Sequence, residues 1–325
     1  MVPVTPIMKK IRSLLRKILT PFTFLTLLTS IAHADITVIV PFNKGGDSTV
    51  AAESQTDFFK KYFNENLNVV HQPSMTNRPG TDGWESLNSL KDDGKTIMVV
   101  NVPTIILQPL LYQNVKYKTE DLSIFVIFQA IPNGLIVKDS SRFNSLNELI
   151  DYAKKHPGEL TAGGVGYGGI DQLMIEQLNK ESGIKIKYTS FTGQAGSENA
   201  LLEKQIDVLS GAVSSSVRLG AQARTLAFGE DKRLSMFPDV PTFKELKLNI
   251  TSVAYRGYAA PKTTALQIKD DLSQKILKIN HDPEFIKKIE SLGFIVKNIP
   301  LESVPAFMNE QIKLNKPLIN LIPKQ

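Results

Sequence analysis

A glycine-bearing loop near residue 45 has the residue types and spacing of an anion-binding site. The β-branched run Ile36–Val40 predicts a buried strand. A proline ends this run, and Gly45 and Gly46 then permit a tight turn. A helix capped by Asp47 or Ser48 is expected to follow. Backbone N–H groups at such a helix start attract anions, although many loops of this kind do no more than turn the chain.

A second glycine-rich segment covers residues 160–169 and precedes a predicted helix from residue 170 to residue 183. It formally matches the dinucleotide-binding pattern G-x-G-x-x-G. A dinucleotide site also needs an acidic residue about 20 positions later, at the end of the next strand. The next predicted strand, residues 184–190, ends without a carboxylate, which argues against NAD binding. A third loop, residues 193–196, either faces the same site or is an ordinary turn.

The other polar residues form no coherent catalytic or metal-binding set. Ser182 and Lys185 have the S-x-x-K spacing of some acyl enzymes, but Gly183 indicates a helix end there and the companion motifs are absent. The three histidines after residue 34 stand singly, without a second ligand at metal spacing: His71, His156 and His281. We therefore predict that the chain is not an enzyme and has neither metal nor cofactor. His156 is expected at a solvent-facing helix end.

The first 34 residues have the features of an export signal. Five basic residues precede an apolar stretch, and Ala32-His33-Ala34 is typical of a cleavage site. We expect cleavage after Ala34 and a soluble periplasmic protein. The net charge of +6 lies mostly in this segment, and the remaining chain carries about +1, so nucleic-acid binding is not expected. The absence of cysteine excludes disulfides and a lipoprotein anchor.

The elements that position these loops alternate between strand and helix. Strands are predicted at residues 36–40, 68–71, 96–101, 122–130, 184–190, 207–212, 225–228, 252–260 and 295–297. Helix starts are clearest at Ser145 with Glu148, a capping box, and at Asp282 followed by Pro283. The pattern predicts an α/β protein with two similar halves that face each other across a cleft, each a mostly parallel sheet flanked by helices.

Four short motifs, in fixed order, carry a family resemblance. They are V-P-F-x-x-G-G at residues 40–46, N-R-P-G-x-x-G at residues 77–83, P-D-V-P-T at residues 238–242, and A-P at residues 260–261. The closing segment from Asp282 to Gly293 fits the same pattern. In these features the chain resembles the extracytoplasmic solute receptors of the tripartite tricarboxylate transporter family, also called Bug proteins. The matches extend from about residue 36 to residue 311.

The resemblance implies a type II, Venus-flytrap periplasmic binding protein. Residues 35–130 and 255–325 would form the first lobe and residues 131–254 the second, with crossings near residues 130–132 and 252–257. Such a monomer would enclose a small organic carboxylate and present it to membrane subunits of a tripartite transporter or to a sensor. With the charged residues near these loops included, the predicted ligand-binding residues are Phe42, Lys44, Gly45, Gly46, Asp47, Ser48, Thr104, Gly166, Tyr167, Gly168, Gly169, Asp171, Gly193, Ala195, Gly211 and Arg256.

The chain departs from the family pattern at charged positions. Asp47 and Asp171 stand near the expected cleft, where they would repel an anion unless they point away or cap helices. Lys44 and Arg256 could offset them, and either could pair with a ligand carboxylate, Arg256 in a bidentate grip. Alternatively, both cations are solvated or pair with the two aspartates. Trp84 either packs in the first lobe, which is the usual place for a tryptophan, or lines the cleft mouth.

Two other functions stay open from sequence. One is a secreted α/β enzyme, which the missing nucleophile–base set argues against. The other is an orphan or regulatory receptor on the same scaffold with a non-carboxylate ligand, an alternative that the lost hydroxyls and the added aspartates leave open.

Overall fold

The computed structural model describes residues 35–75 and 78–323. The predicted export signal and its cleavage site lie outside these residues, as does Asn77 of the second family motif. Within the described ranges, no helix is long and apolar enough to cross a membrane.

Ten strands and eleven α-helices follow one another in the described chain. The strands are β1 Ile36–Val40, β2 Leu67–His71, β3 Thr96–Val102, β4 Ser123–Lys138, β5 Thr161–Val165, β6 Lys187–Phe191, β7 Val208–Ala212, β8 Ala223–Phe228, β9 Val253–Ala260 and β10 Ile295–Ile299. The helices are α1 Asp47–Glu53, α2 Thr56–Phe63, α3 Thr81–Ser86, α4 Thr104–Leu111, α5 Leu146–Lys155, α6 Ile170–Ser182, α7 Gln194–Leu202, α8 Val213–Leu219, α9 Leu266–Ile279, α10 Pro283–Ser291 and α11 Val304–Asn315.

One long strand, β4, joins the two lobes. The strand order is β2-β1-β3-β9-β4-β7-β5-β6, and β8 and β10 also pair with β4. The first part of β4, residues 123–132, pairs with β9 in the first lobe. Its second part, residues 133–138, pairs with β7 and β8 in the second lobe. This arrangement is the two-lobed α/β fold that the sequence predicts, while the predicted lobe limits at residues 130 and 254 stay a prediction.

The strand directions differ from the expected mostly parallel sheets. β1 is parallel to β2 and β3, and β5 is parallel to β6 and β7. The pairs formed by β4 and β9, in contrast, are all antiparallel. The reason is the crossover: a chain that leaves a lobe along β4 and returns along β9 must run in opposite directions in the two strands. Sequence periodicity carries no information on strand direction.

Helix α4 lies in a stretch for which the sequence predicts no element. Pro109 within it has no N–H to donate to the carbonyl oxygen of Ile105, which normally disfavours a helix. The hydroxyl of Thr119 donates to that oxygen instead, at 3.0 Å. A contact from outside the helix therefore supplies the hydrogen bond that the proline removes.

Local capping signals are confirmed at α5 and α10. The Ser145 hydroxyl accepts from the backbone N–H of Glu148, and the Asp282 carboxylate accepts from those of Glu284 and Phe285. The predicted cap of α1 is wrong, because Gly46 occupies the N-cap position and Asp47 and Ser48 are already inside the first turn. The side chain of Asp47 is thereby free to reach the other lobe.

Each lobe has its own apolar core. The first is centred on β1, β3 and β9 with Phe59, Phe125 and Tyr258, and the second on β5 and the inner faces of α5 and α6. Trp84 is 1% exposed, and its indole N–H donates to the carbonyl oxygen of Val99, so the core position predicted for it is confirmed. These cores hold the glycine loops in place at the cleft.

Candidate functional site

A cavity of about 350 Å³ lies between the lobes, where the loops after β1, β5 and β6 meet. Fourteen of the predicted site residues line it: Phe42, Lys44, Gly45, Gly46, Asp47, Ser48, Thr104, Tyr167, Gly169, Asp171, Gly193, Ala195, Gly211 and Arg256. The fold thus brings nearly the whole predicted set to one place, and their contact with a ligand stays a prediction.

Gly166 and Gly168 do not line the cavity. A Cβ at Gly166 would lie 2.5 Å from a ring carbon of Pro79, which comes from the other lobe and covers this part of the loop. The N–H of Gly168 donates to the side-chain oxygen of Gln172, behind the cavity wall. Both glycines have positive φ, at 69° and 68°, so they shape the turn rather than contribute to the lining.

Three helices begin at the cavity with a glycine as N-cap. Gly46, Gly169 and Gly193 cap α1, α6 and α7, and none of them has a side chain that could accept from the first turn. The positive ends of three helix dipoles therefore converge on the cavity wall. This geometry favours a negative charge in the enclosed space.

Arg256 brings a buried cation to the same wall. Its side chain is 6% exposed. One terminal nitrogen donates to the side-chain oxygen of Asn101 at 3.2 Å, and the other lies 3.9 Å from the Asp47 carboxylate. Its Nε has no hydrogen-bond partner among the described residues. Burial lowers the pKa of Arg256, and Asp47 and Asp171 oppose this effect. A buried guanidinium with so few partners costs stability, which indicates a binding role.

Asp47 links the first lobe to the second. Its carboxylate accepts from the Gln194 amide at 2.8 Å and from the Ser214 hydroxyl at 2.6 Å, while its own N–H donates to the Gln194 side-chain oxygen. Arg218 lies 3.5 Å from the same carboxylate and also pairs with Glu198. We call Asp47, Gln194, Ser214 and Arg218 the interlobe clasp. Burial opposes the charge of Arg218, but the Glu198 and Asp47 carboxylates outweigh it and raise the pKa of Arg218.

Asp171 lines the cavity from α6 in the second lobe. One carboxylate oxygen accepts from the Asn133 amide at 2.5 Å and the other from the N–H of Val165 at 2.7 Å. Its side chain fits because Gly164 leaves room: a Cβ there would lie 2.5 Å from the Asp171 Cβ. Burial raises the pKa of Asp171 to about 6, although the hydrogen bonds from Val165 and Asn133 lower it.

Lys44 differs from Arg256 in its surroundings. It is exposed at the cavity edge and makes no hydrogen bond or ion pair with the described residues. The sequence left open whether these cations are solvated or pair with the aspartates. Lys44 is solvated, whereas Arg256 lies within 4 Å of Asp47.

Sequence reasoning missed the amide residues of the site. Asn101, Gln108, Asn133 and Gln194 line the cavity beside the predicted residues. Gln194 belongs to the loop 193–196, which the sequence left open as facing the site, but its amide was not singled out. Asn101 pairs with Arg256 across β3 and β9. Asn133 lies within a long apolar strand and carries no local signal. The clasp residue Arg218 is also missed, because only the folded chain brings it to Asp47.

The competing enzyme and metal patterns have structural explanations. Gly183 ends α6 with φ of 63°, which separates Ser182 from Lys185 as the sequence predicts. His156 is the exposed C-cap of α5 and pairs with Glu159 at 3.1 Å, so the prediction of a solvent-facing helix end is confirmed. In residues 35–75 and 78–323, no group of three or more acidic residues, histidines or cysteines could hold a metal ion.

Solved structures share this architecture. Rpa4515 of Rhodopseudomonas palustris with adipate superposes with a TM-score of 0.83 at 20% identity, over 89% of this chain and 97% of that one. MatC of Rhodopseudomonas palustris with bound malate superposes with a TM-score of 0.78 at 20% identity, over 89% and 99%. The fold is that of a two-lobed, type II periplasmic binding protein, as predicted.

Sequence comparison identifies the family. A family model described as tripartite tricarboxylate transporter family receptor matches residues 67–323. A UPF0065 protein of Bordetella pertussis is 25% identical over 323 residues, which cover 96% of this chain and 98% of that protein. The chain belongs to the receptor family of the tripartite tricarboxylate transporters and is a periplasmic solute-binding protein. The predicted family is thereby confirmed, as is the prediction that the chain is not an enzyme.

Proposed function

We propose that this receptor captures a small organic dicarboxylate in the interlobe cavity and presents it to the membrane subunits of a tripartite-type transporter or to a sensor. The observation that carries the proposal is Arg256, a buried guanidinium at the cavity wall whose Nε has no hydrogen-bond partner within residues 35–75 and 78–323. Three glycine-capped helix starts add positive potential beside it. A carboxylate bound there would accept hydrogen bonds from the Arg256 guanidinium and from the backbone N–H groups of the helix starts, which are both usual partners of a carboxylate.

The acids bound by two solved relatives support this choice of ligand class. Adipate and malate are both dicarboxylates, and each is small enough for a cavity of about 350 Å³. Side chains that differ between relatives decide which acid fits, so the choice of acid does not transfer with the fold.

The test is to identify the bound molecule directly. The purified protein is denatured and its released small molecules are analysed by mass spectrometry, and a thermal-shift screen of mono- and dicarboxylates follows. We expect a dicarboxylate to co-purify or to raise the melting temperature, because a ligand that binds only the folded state stabilises it. No shift with any acid at millimolar concentration would contradict the proposal.

A second candidate is a receptor for a ligand that is not a carboxylate. It is favoured by the two aspartates, Asp47 and Asp171, that line the cavity. The same screen, extended to neutral and cationic metabolites, separates the two candidates by the charge of the compounds that stabilise the protein.

We further propose that the protein is exported, cleaved after Ala34 and monomeric. Intact mass of the periplasmic form tests the cleavage, and light scattering tests the monomer. A mature protein that retains residues 1–34 would contradict the cleavage site.

The Lys44→Ala variant is expected to bind the ligand with an affinity within about threefold of the parent. Lys44 is exposed, and exposed ion pairs contribute at most about 1 kcal/mol. Isothermal titration calorimetry at low and at physiological salt checks this. A loss of affinity greater than about tenfold at physiological salt, or roughly 1.4 kcal/mol, would place Lys44, and not Arg256 alone, on the ligand.

A further inference from the structure

The two acids of the cavity differ in their access to a cation. The Asp47 carboxylate has Arg218 at 3.5 Å and Arg256 at 3.9 Å. Asp171 has no ion-pair partner within 4 Å among the described residues, although its side chain is almost fully buried. Its two oxygens are held by neutral donors, the Asn133 amide and the Val165 N–H. A second negative charge in the cavity would therefore act on Asp171 without a counterion beside it.

The hydrogen-bond partners of Asp171 accommodate either protonation state. The Val165 N–H is a fixed backbone donor and needs one acceptor oxygen, which both forms of the carboxyl group provide. The Asn133 amide is reversible: its NH₂ donates to an ionised carboxylate, and after rotation by about 180° its oxygen accepts from a protonated one. A proton can thus be gained at Asp171 with no loss of hydrogen bonds.

Charged and titratable groups reach Asp171 from three packed elements. Asp47 on α1 disfavours its ionised form, and Arg256 on β9 favours it. Tyr188 on β6 also lies near Asp171. Burial raises the pKa of its phenol well above the usual value, and the charge of Asp171 adds to this effect. Burial is the main cause that raises the pKa of Asp171 to about 6.

We propose that Asp171 takes up a proton when an anionic ligand binds, so that ligand capture is coupled to protonation of the receptor. The inference rests on the proposed function, since it requires a carboxylate at Arg256. Such a ligand replaces part of the attraction that Arg256 exerts on Asp171 and adds a repulsive charge of its own. Both effects raise the pKa of Asp171, so its neutral form is more favoured in the complex than in the free receptor.

The direction of the pH dependence follows from this linkage. At a pH above the pKa of Asp171 in the complex, Asp171 is ionised both in the free receptor and in the complex, and the affinity for the ligand is low. As the pH falls toward about 6, the complex binds the proton first, and the affinity rises by up to about tenfold per pH unit. Below the pKa of the free receptor both states are protonated and the affinity no longer changes.

The experiment is calorimetric titration with adipate and with L-malate at about pH 6.5 and about pH 8.5, where the carboxyl groups of both acids are ionised. Each titration is run in two buffers of different protonation enthalpy, which measures the protons taken up per ligand. The Asp171→Asn variant can keep the same hydrogen bonds after rotation of Asn133. Asp151→Asn, at an exposed position on α5, is the matched control.

We expect the parent and Asp151→Asn to bind more tightly at the lower pH, by about tenfold or more, with uptake of up to one proton. Asp171→Asn is expected to bind with similar affinity at both pH values and without proton uptake. Binding with neither pH dependence nor proton uptake in the parent would overturn the inference and leave the proposed function intact. Failure of both acids to bind the parent at either pH would overturn the inference and count against the proposed function as well.

Discussion

Replacement of Arg256 by methionine is expected to weaken the binding of a dicarboxylate by roughly 30- to 1,000-fold. Removal of one partner of a buried, hydrogen-bonded charge pair costs about 2–4 kcal/mol, because the other charge is left unpaired in a site that excludes water. Arg256→Lys keeps the charge but not the planar fork, so an intermediate loss of about tenfold is expected. Calorimetric titration with the acid found in the thermal-shift screen measures both.

The stability of the same variant distinguishes a binding role from a structural one. Among the described residues, the guanidinium of Arg256 has one hydrogen bond, an unpartnered Nε and the Asp47 carboxylate at 3.9 Å. Since Asp47 keeps Arg218 as a partner, methionine removes a costly desolvated charge without leaving that carboxylate unpaired. We expect the ligand-free Arg256→Met protein to melt at or above the temperature of the parent. Arg233→Ala, which removes an exposed pair with Glu245, is the control and should change neither binding nor melting. A large drop in the melting temperature of Arg256→Met would contradict the binding role.

The second large effect is expected at Gln194, the amide of the interlobe clasp. Gln194→Ala removes two hydrogen bonds between the lobes, one from the Asp47 backbone N–H and one to the charged Asp47 carboxylate, together about 2–4 kcal/mol of closing free energy. The ligand-free protein should therefore open, with a larger radius of gyration in small-angle X-ray scattering. Because only the closed form binds fully, the apparent affinity should fall, by up to about 30-fold for a loss of about 2 kcal/mol and up to roughly 1,000-fold for about 4 kcal/mol.

The rates of ligand binding and release, together with a matched control variant, distinguish a role of the clasp in opening from a direct contact with the ligand. If the clasp controls opening, Gln194→Ala should bind its ligand faster and release it much faster. Arg256→Met, which removes the proposed contact to the ligand, should mainly speed release. Gln205→Ala, an exposed glutamine that bonds within its own lobe, should behave as the parent. Unchanged scattering together with unchanged affinity for Gln194→Ala would rule out a role of the clasp in closure.

Patterns within a few residues account for what was predicted correctly. The Ser145 and Asp282 caps, the glycine at the end of α6 and the glycine loops after β1 and β5 each depend on neighbours in the chain. Residues at such positions satisfy or shape the backbone of the same turn, so the local sequence is enough to predict where a helix begins or ends. The predicted site residues had a different source, the family resemblance, and fourteen of them line the cavity because the fold brings loops of both lobes together.

The predictions from sequence that the structure contradicts lie where a contact with a distant residue replaces a local one. Helix α4 persists through Pro109 because Thr119 supplies a donor to Ile105. Asp47 lies inside the first turn of α1 and not at its cap, and its carboxylate accepts from Gln194 and Ser214, both far along the chain. The antiparallel pairs of β4 and β9 arise from the chain crossing between lobes, for which a strand pattern has no signal.

The α/β class, the receptor family and the glycine loops could all be predicted from the sequence, since each of these rests on short-range patterns and their order. The environment of the charged residues near the cavity is known only from the folded chain. Arg256 is buried against Asn101, Asp47 is bonded to the second lobe, and the Asp171 carboxylate accepts from neutral donors. The physical reason is that the energy of a charge depends on its solvent exposure and on neighbours within a few ångströms, and folding assembles those neighbours from residues far apart in the chain.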